Sequence, residues 1–117
     1  MRNLVFLNMR QHNYYVYIVT NPAKTVLYIG VTNELDRRIL EHYSNRGKKE
    51  TFAGKYYCYN LLYQEHFQNI HAAIARETEL KGWSRKKKIE LISSQNPELK
   101  FLNETILEAW PPDIESF

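Results

Sequence analysis

Four polar side chains stand where the surrounding pattern predicts apolar residues. Tyr17 and Tyr28 lie in two short β-branched and aromatic runs, and Arg38 and His42 fall on the apolar face of a helix predicted to follow. The sequence thus gathers two phenols, a guanidinium and an imidazole at the end of a hairpin. Such groups can bind a phosphodiester and transfer protons during its cleavage. The alternative is ordinary packing, because strands favour tyrosine, an arginine can extend its charge to solvent and a histidine can be a hydrogen-bonded core residue.

A helical wheel of the first predicted helix shows which residues share its apolar face. With Leu35 at zero, Arg38 lies at about −60°, Ile39 at about 40° and His42 at about −20°, so both polar residues share the apolar face. Arg37, on the other side, is predicted to be solvated.

A second predicted helix repeats the anomaly at Glu77. With Ile70 at zero, Glu77 lies at about −20°, between Ala73 and Ile74, and so is predicted to be central on an apolar stripe. A buried carboxylate is costly unless it is paired, protonated or bound to a cation. Two alternatives stay open: an ion pair with a residue such as Arg38 or Lys81, or a metal ligand. Without a dense acidic cluster nearby, any metal is expected to be a single ion held largely by water and phosphate, for which magnesium is suited.

The elements that would position these residues form a simple series. Turn chemistry at Asn21-Pro22-Ala23-Lys24 predicts a hairpin, and the remaining patterns predict one helix, a third strand and two more helices. The order β-β-α-β-α-α indicates an α+β fold with a small, mostly antiparallel three-stranded sheet flanked by helices. The strands are predicted at residues 14–20, 25–31 and 56–64, and the helices from Thr32 or Asn33 to about 43, from about 69 to 81, and at 85–92.

Composition narrows the class of protein. The chain has 117 residues with 44% hydrophobic and 25% charged residues, which predicts one soluble domain. No apolar run is long enough for a membrane span, and the first residues lack a sustained apolar segment leading to a cleavage site, so we expect a cytoplasmic protein. The single cysteine, Cys58, excludes an internal disulfide and a cysteine-based zinc cluster.

The distribution of charge favours a polyanionic partner. The formal net charge is +3, which is modest, but the basic residues form two groups beside the polar positions described above. The candidate nucleic-acid-binding residues are Lys48, Lys49 and Lys55, close to Arg46, and the run Arg85, Lys86, Lys87 and Lys88. Either group alone is more often a solvated face.

These residues together resemble the GIY-YIG endonuclease family. Tyr15-Val16-Tyr17 stands where the family has its first tripeptide, and Tyr28-Ile29-Gly30 matches the second. Tyr28 follows Tyr17 by 11 positions, Arg38 follows Tyr28 by 10, and Glu77 stands where the family has a metal-binding glutamate. Two departures are Tyr15 in place of the first glycine and Val31 where some repair nucleases carry a lysine.

The resemblance covers residues 14–100 and is closest to the small stand-alone, single-domain branch. It implies a nuclease domain at 14–100 between an N-terminal extension at 1–13 and a C-terminal tail at 101–117.

The resemblance also implies hydrolysis of DNA, in a repair or recombination setting, with one divalent ion at Glu77. The expected ion is Mg²⁺, with Mn²⁺ as a substitute, and RNA is an alternative substrate. Arg38 would hold the scissile phosphate, while Tyr17, Tyr28 or His42 would serve as the general base or position the water. Asn96 is a further candidate for the site.

Two rival hypotheses belong to other classes of protein. One is a nucleic-acid-binding module with a degenerate, non-catalytic site, held by the two basic groups. The other is a structural domain in which the inward polar residues pair with each other, Arg38 with Glu77. Without a base-reading motif, the sequence predicts weak sequence preference and leaves the oligomeric state undetermined.

Overall fold

The structure, a computed structural model, describes residues 12–113 and contains an antiparallel three-stranded sheet in the order β2-β1-β3. The α+β class and the sheet flanked by helices are therefore confirmed. The strands are β1 (Tyr14–Thr20), β2 (Leu27–Thr32) and β3 (Asn60–Phe67). The helices are α1 (Leu35–Ser44), α2 (Phe52–Lys55), α3 (Ile70–Lys81), α4 (Arg85–Gln95) and α5 (Asn103–Ile106).

The structure contains two short helices, α2 and α5, that the predicted order lacks. Two local predictions are wrong. The third strand begins at Asn60 rather than at residue 56, because Tyr56 and Tyr57 close the end of α2 and Tyr57 has a φ of 58°. The cap of α1 is Glu34, not Thr32 or Asn33. The Thr32 hydroxyl instead accepts a hydrogen bond from the Glu34 backbone N–H at 3.1 Å.

The β1–β2 hairpin is closed by the side chain of Asn21. Its Oδ1 accepts hydrogen bonds from the backbone N–H groups of Thr25 at 2.8 Å and Val26 at 3.0 Å. Its Nδ2 donates to the Thr25 hydroxyl at 2.7 Å. An asparagine at the start of a turn commonly bonds the backbone beyond it in this way, and so fixes how the two strands leave the turn.

Alternation along β1 divides the protein into two layers. Val16 and Ile18 face a core beneath α3 and α4, whereas Tyr17 and Val19 face a second core beneath α1, α2 and α5. In β1 each of these four side chains is at most 1% exposed. The polar residue Tyr17 therefore lies inside one of the two cores.

A bulge in β3 explains the position of Asn96. Ile18 pairs with Tyr63 and Val19 with Leu61, so Leu62 has no partner in β1. The buried Asn96 amide donates to the Leu62 carbonyl at 3.0 Å and to the Lys100 carbonyl at 2.9 Å, and its Oδ1 accepts from the Lys100 N–H at 3.0 Å. These contacts anchor the end of α4 to the bulge.

The start of the predicted C-terminal tail covers the outer edge of β3. The Leu102 N–H donates to the Leu61 carbonyl at 2.7 Å. The Asn103 side chain accepts from the Leu61 N–H at 2.8 Å and donates to the Tyr59 carbonyl at 2.9 Å. An exposed strand edge invites pairing with other chains, and these contacts occupy it. The division at residue 100 stays a prediction, and residues 1–11 and 114–117 lie outside the described residues.

Replacing Asn103 with alanine tests how far the domain depends on this edge contact. Asn103 is 1% exposed, so Asn103→Ala leaves a buried backbone donor and a buried acceptor without partners. We expect a loss of about 2–4 kcal/mol in the free energy of unfolding, measured by urea denaturation. Glu104→Ala, at an exposed position of the same helix, is the control and should change it by less than about 0.5 kcal/mol. Equal behaviour of the two variants would show that the domain does not need this contact.

Candidate active site

The site is built on a close approach between two backbone-paired residues. Tyr17 in β1 is the register partner of Gly30 in β2. The Tyr17 ring lies across Gly30, so closely that a Cβ atom at Gly30 would stand 2.4 Å from the phenol oxygen. Only glycine leaves room for this ring, which explains why a glycine follows Tyr28-Ile29.

Helix α1 delivers two side chains to the Tyr17 phenol. His42, which is 4% exposed, places Nε2 2.8 Å from the phenol oxygen. Arg38, one turn earlier, donates from Nε to the same oxygen at 3.3 Å. Because residues four apart on a helix lie on one face, the spacing of Arg38 and His42 lets both reach one atom. The structure thus brings together three of the predicted site residues.

The charge state of His42 sets the direction of the hydrogen bond with Tyr17. Burial lowers the pKa of His42 to about 4, and the nearby positive charge of Arg38 lowers it further. The imidazole is therefore neutral at pH 7. Since the phenol oxygen already accepts from Arg38, the Tyr17 hydroxyl donates to His42 Nε2, and the imidazole proton is on Nδ1.

Burial also keeps Tyr17 protonated. Removal from water raises the pKa of the phenol well above its ordinary value, although the charge and the hydrogen bond of Arg38 oppose this shift. Burial alone would lower the pKa of the Arg38 guanidinium, but Tyr17 and Glu41 outweigh it and the net shift is upward. The site at neutral pH therefore holds a neutral phenol, a neutral imidazole and a permanent cation.

Glu41 orients Arg38 from the solvent side. Its Oε1 accepts from Arg38 Nη1 at 2.9 Å, and its other oxygen pairs with Arg37. The hydrogen bond from Arg38 holds the pKa of the Glu41 carboxyl below its usual range. Within residues 12–113 the Nη2 group of Arg38 has no hydrogen-bond partner, and the side chain is 35% exposed. The guanidinium is thus fixed at Nε and Nη1 and open at Nη2.

Tyr28 forms the outer wall of this cluster. Its half-buried ring meets the His42 ring edge to face at 5.5 Å between centroids and lies 6.5 Å from the Tyr17 ring. On its other side it stacks with Phe52 of α2 at 6.2 Å. Sequence reasoning missed Phe52 and Glu41, because only the packing of α2 and the direction of Arg38 reveal their positions.

Glu77 lies at the border of the buried face of α3, not at the centre of an apolar stripe. Ile70 and Ile74 are 42% and 44% exposed, and Ala73 and Leu80 are the residues that α3 buries. The predicted stripe was wrong because α3 turns its small Ala73 and its Leu80 toward the sheet. The Glu77 side chain is nevertheless only 16% exposed.

The surroundings of Glu77 decide between the two open pairings. Lys81 Nζ lies 3.2 Å from Glu77 Oε2. Arg38 bonds Tyr17 and Glu41, so no Arg38–Glu77 ion pair forms in the described part of the chain. The negative charge of Glu77 is close enough to Tyr17 to contribute to the raised pKa of that phenol. Glu77 therefore acts electrostatically on Tyr17 from the opposite layer of the protein.

The described residues contain no cluster of three or more histidine, cysteine or acidic side chains that could hold a metal. Glu77 is a single, mostly buried carboxylate whose one ion pair, to Lys81, involves Oε2. Such a ligand suits a hard cation that keeps most of its water, as Mg²⁺ does, and does not suit zinc. The residues present thus fit a single, weakly held divalent ion.

The predicted nucleic-acid-binding residues lie in two separate places. Lys48 and Lys49 are exposed in the loop before α2, and Lys55 is exposed at the end of that helix. The second group occupies the start of α4, where Arg85 donates to the Lys24 carbonyl at 3.0 Å; its members are Arg85, Lys86, Lys87 and Lys88. Their role in binding, and that of Asn96 in the site, stays a prediction. The contacts of Asn96 are those that anchor α4.

Comparison with known proteins agrees with this geometry. A family model described as the GIY-YIG catalytic domain matches residues 13–90. The chain belongs to the GIY-YIG family. It is 39% identical over 80 residues to a UPF0213 protein of Bacillus pumilus, a match that covers 68% of this chain and 79% of that protein. UPF0213 protein SSP2268 of Staphylococcus saprophyticus is 38% identical over 80 residues, 68% of this chain and 94% of the relative.

A solved structure with the same description is also similar. The protein in the solution NMR structure of the UPF0213 protein BH0048 from Bacillus halodurans is 32% identical to this chain. The match covers 83% of this chain and 98% of the other and has a TM-score of 0.49.

Gly30→Ala should displace the Tyr17 ring. The added Cβ would stand 2.4 Å from the phenol oxygen. The ring must therefore shift, which breaks the hydrogen bonds of the Tyr17 hydroxyl with His42 and Arg38. We expect a loss of about 1–3 kcal/mol in the free energy of unfolding by urea denaturation. Gly82→Ala is the matched control, because its nearest contact is an ordinary 3.5 Å, and its stability should stay equal or rise slightly. A Gly30→Ala protein as stable as Gly82→Ala would contradict the packing described.

His42 should make the protein less stable in mild acid. Its folded pKa of about 4 is below the unfolded value of 6.5, so the unfolded chain takes up the proton first and stability falls as the pH drops from 6.5 toward 4. We expect the contribution to be on the order of 2 kcal/mol by pH 4.5. The measurement is urea denaturation from pH 7.5 to 4.5 of the parent and of His42→Gln, which cannot titrate. The same slope for both proteins over this range would rule out a neutral, buried His42.

Proposed function

We propose that this protein is a metal-dependent DNA endonuclease that hydrolyses a phosphodiester with one divalent ion, Mg²⁺ or Mn²⁺. The observation that carries the proposal is the hydrogen-bonded group of Tyr17, Arg38 and His42, in which an open guanidinium edge stands beside a phenol that already has a proton acceptor. Membership of the GIY-YIG family supports a nuclease with a nucleic-acid substrate.

Arg38 is the residue proposed to hold the scissile phosphate. Its Nη2 group is the open end of a guanidinium that Tyr17 and Glu41 orient. A guanidinium binds phosphate oxygens strongly, and a cation beside the phosphate stabilises the charge that develops in the transition state. The net upward shift of its pKa keeps the guanidinium charged at neutral pH.

Tyr17 and His42 are proposed to carry the proton from the attacking water. As the water oxygen bonds to phosphorus, its proton passes to the Tyr17 oxygen, and the Tyr17 proton passes to His42 Nε2. The leaving oxygen departs with the electron pair of the broken P–O bond. Because its pKa is about 4, His42 is a weak base that releases the proton to solvent readily. It accepts the proton only if the pKa of the attacking water has been lowered.

Glu77 is proposed to hold the divalent ion that the family resemblance implies. When bound there, a divalent cation would polarise the phosphate and lower the pKa of a coordinated water. The influence of the Glu77 charge on the pKa of Tyr17 supports this assignment. The Lys81 side chain is more than half exposed, so it can leave the carboxylate when a cation arrives.

Access to Tyr17 requires Arg38 to move. Tyr17 is 1% exposed in the protein without substrate, and the Arg38 side chain bonds its oxygen from the more exposed side. A phosphate that draws the guanidinium outward would uncover the phenol oxygen, and so couple substrate binding to exposure of the base. Tyr28 is half-buried and needs no such movement, so we assign it a hydrogen bond to a phosphate oxygen or to the water.

Removal of the arginine tests the nuclease proposal. Purified protein is incubated with supercoiled plasmid and Mg²⁺, and nicking is followed on agarose gels. Arg38→Ala should lower the rate by about 10²–10³-fold, because it removes the cation aligned with the phosphate. The neighbouring Arg37→Ala is the control, since Arg37 is exposed and, among residues 12–113, pairs with Glu34 and Glu41 rather than with Tyr17. Equal rates for the two variants would exclude the assigned role of Arg38.

Glu77→Gln tests the metal. We expect loss of nicking by about 10²-fold or more, and loss of nicking by the parent in EDTA that Mg²⁺ or Mn²⁺ restores. Glu79→Gln, on the exposed side of the same helix, should keep the parent rate. Salt-sensitive DNA binding without cleavage by the parent would instead support the alternative, a nucleic-acid-binding module with a degenerate site.

A further inference from the structure

A group of exposed aromatic rings lies next to the site and has no part in the chemistry proposed above. Phe52 is 52% exposed and Tyr56 is 39% exposed, at the two ends of the short helix α2. Their rings contact each other with centroids 4.8 Å apart. Scattered exposed apolar residues are normal, but two adjoining rings at the rim of a polar site suggest a binding surface. We call this pair the α2 aromatic face.

The loop that carries the face is held rigidly by backbone hydrogen bonds. The Thr51 hydroxyl accepts from the Gly54 N–H at 3.0 Å, and the Gly47 N–H donates to the Gly54 carbonyl at 2.8 Å. Gly54 is packed so closely that a Cβ there would stand 2.5 Å from the Lys48 carbonyl oxygen. The rings are therefore presented on a preorganised support, which lowers the entropy lost when a ligand binds.

The α2 aromatic face is continuous with the active site. Phe52 stacks on Tyr28 with an interplanar angle of 25°, and Tyr28 in turn contacts His42. A group lying on Phe52 is thus separated from the Tyr17–His42 pair by a single ring.

Three lysines lie in α2 or in the loop before it, and one of them contacts a ring of the face. Lys48 and Lys49 are exposed in the loop before α2, and the Lys55 ammonium lies 5.2 Å from the centre of the Tyr56 ring. Lysines around exposed aromatic rings match the chemistry of single-stranded nucleic acid, in which flat bases stack on the rings and phosphates attract the ammonium groups. We take the occupant to be a nucleic-acid strand, because it brings both flat bases for the rings and phosphates for the ammonium groups.

We propose that the α2 aromatic face stacks one unpaired nucleobase of the substrate strand next to the scissile phosphate. The inference rests on the proposed nuclease function and names its substrate class: nucleic acid with unpaired nucleotides at the cleavage position, such as a single strand, a flap or a loop. A base inside a paired duplex keeps both its faces against its neighbours, so it cannot stack on Phe52 without leaving the helix. Stacking is tolerant of sequence, because every base has an aromatic face.

Binding in EDTA tests the face independently of cleavage. The probes are a fluorescently labelled 12-nucleotide single strand and a blunt-ended duplex of that strand with its complement, titrated by fluorescence anisotropy at several salt concentrations. Phe52→Leu and Tyr56→Leu, which keep apolar volume and lose the ring, should each weaken single-strand binding by about tenfold and duplex binding by less than about twofold. The salt dependence should be unchanged, because the lysines stay in place.

Phe101→Leu provides the matched control. Phe101 is another exposed ring, 40% exposed, and its neighbour is Lys24 in the hairpin turn rather than the active site. Its binding should equal that of the parent. Since Phe52 supports Tyr28, Tyr56→Leu supplies an independent variant, and circular dichroism checks that each protein is folded.

The proposal is overturned by any of three results: parent affinity in both α2 variants, equal weakening for single strand and duplex, or the same loss in Phe101→Leu. Plasmid nicking, measured separately, distinguishes the two proposals. If the parent nicks and its α2 variants bind normally, the stacking proposal is wrong and the nuclease proposal stands. If the parent binds single strands through Phe52 but never nicks, the nuclease proposal is wrong and the stacking proposal stands.

Discussion

The contact on which the site depends is the passage of the Tyr17 ring across Gly30. A phenol in the middle of a central strand would ordinarily be packed among apolar side chains, with its hydroxyl short of partners. The missing Cβ of Gly30 allows the ring to lie flat over the neighbouring strand, so that its oxygen reaches α1. Two hydrogen bonds there, from Arg38 and to His42, compensate the burial of the hydroxyl.

The electrostatics of the site follow from that burial. A permanent cation and a dry interior both disfavour a charged imidazole, so His42 remains a neutral acceptor behind the phenol. The same burial keeps Tyr17 neutral, although Arg38 favours its ionised form. The result is a hydrogen-bonded pair of neutral groups beside one positive charge.

The two layers of the protein hold different polar residues. Arg38 and His42 lie in the layer under α1, and Glu77 lies on α3 in the other layer. Arg38 bonds Tyr17 and Glu41, whereas Glu77 pairs with Lys81, so the two opposite charges have different partners. Helix α2 adds the exposed rings of Phe52 and Tyr56. No helix among residues 12–113 is long and apolar enough to cross a membrane.

The sequence by itself determined the fold class, the hairpin and the meeting of Arg38 with His42, because alternation, turn residues and helical spacing are local properties. It also located Glu77, but not its surroundings: the exposure of Ile70 and Ile74 depends on how α3 rotates over the sheet. Only the tertiary structure decided that Arg38 bonds Tyr17 rather than Glu77, that Asn96 fills the bulge of β3, and that α2 brings Phe52 beside Tyr28. These contacts join residues far apart in the chain, and their geometry is set by packing, which no local pattern encodes.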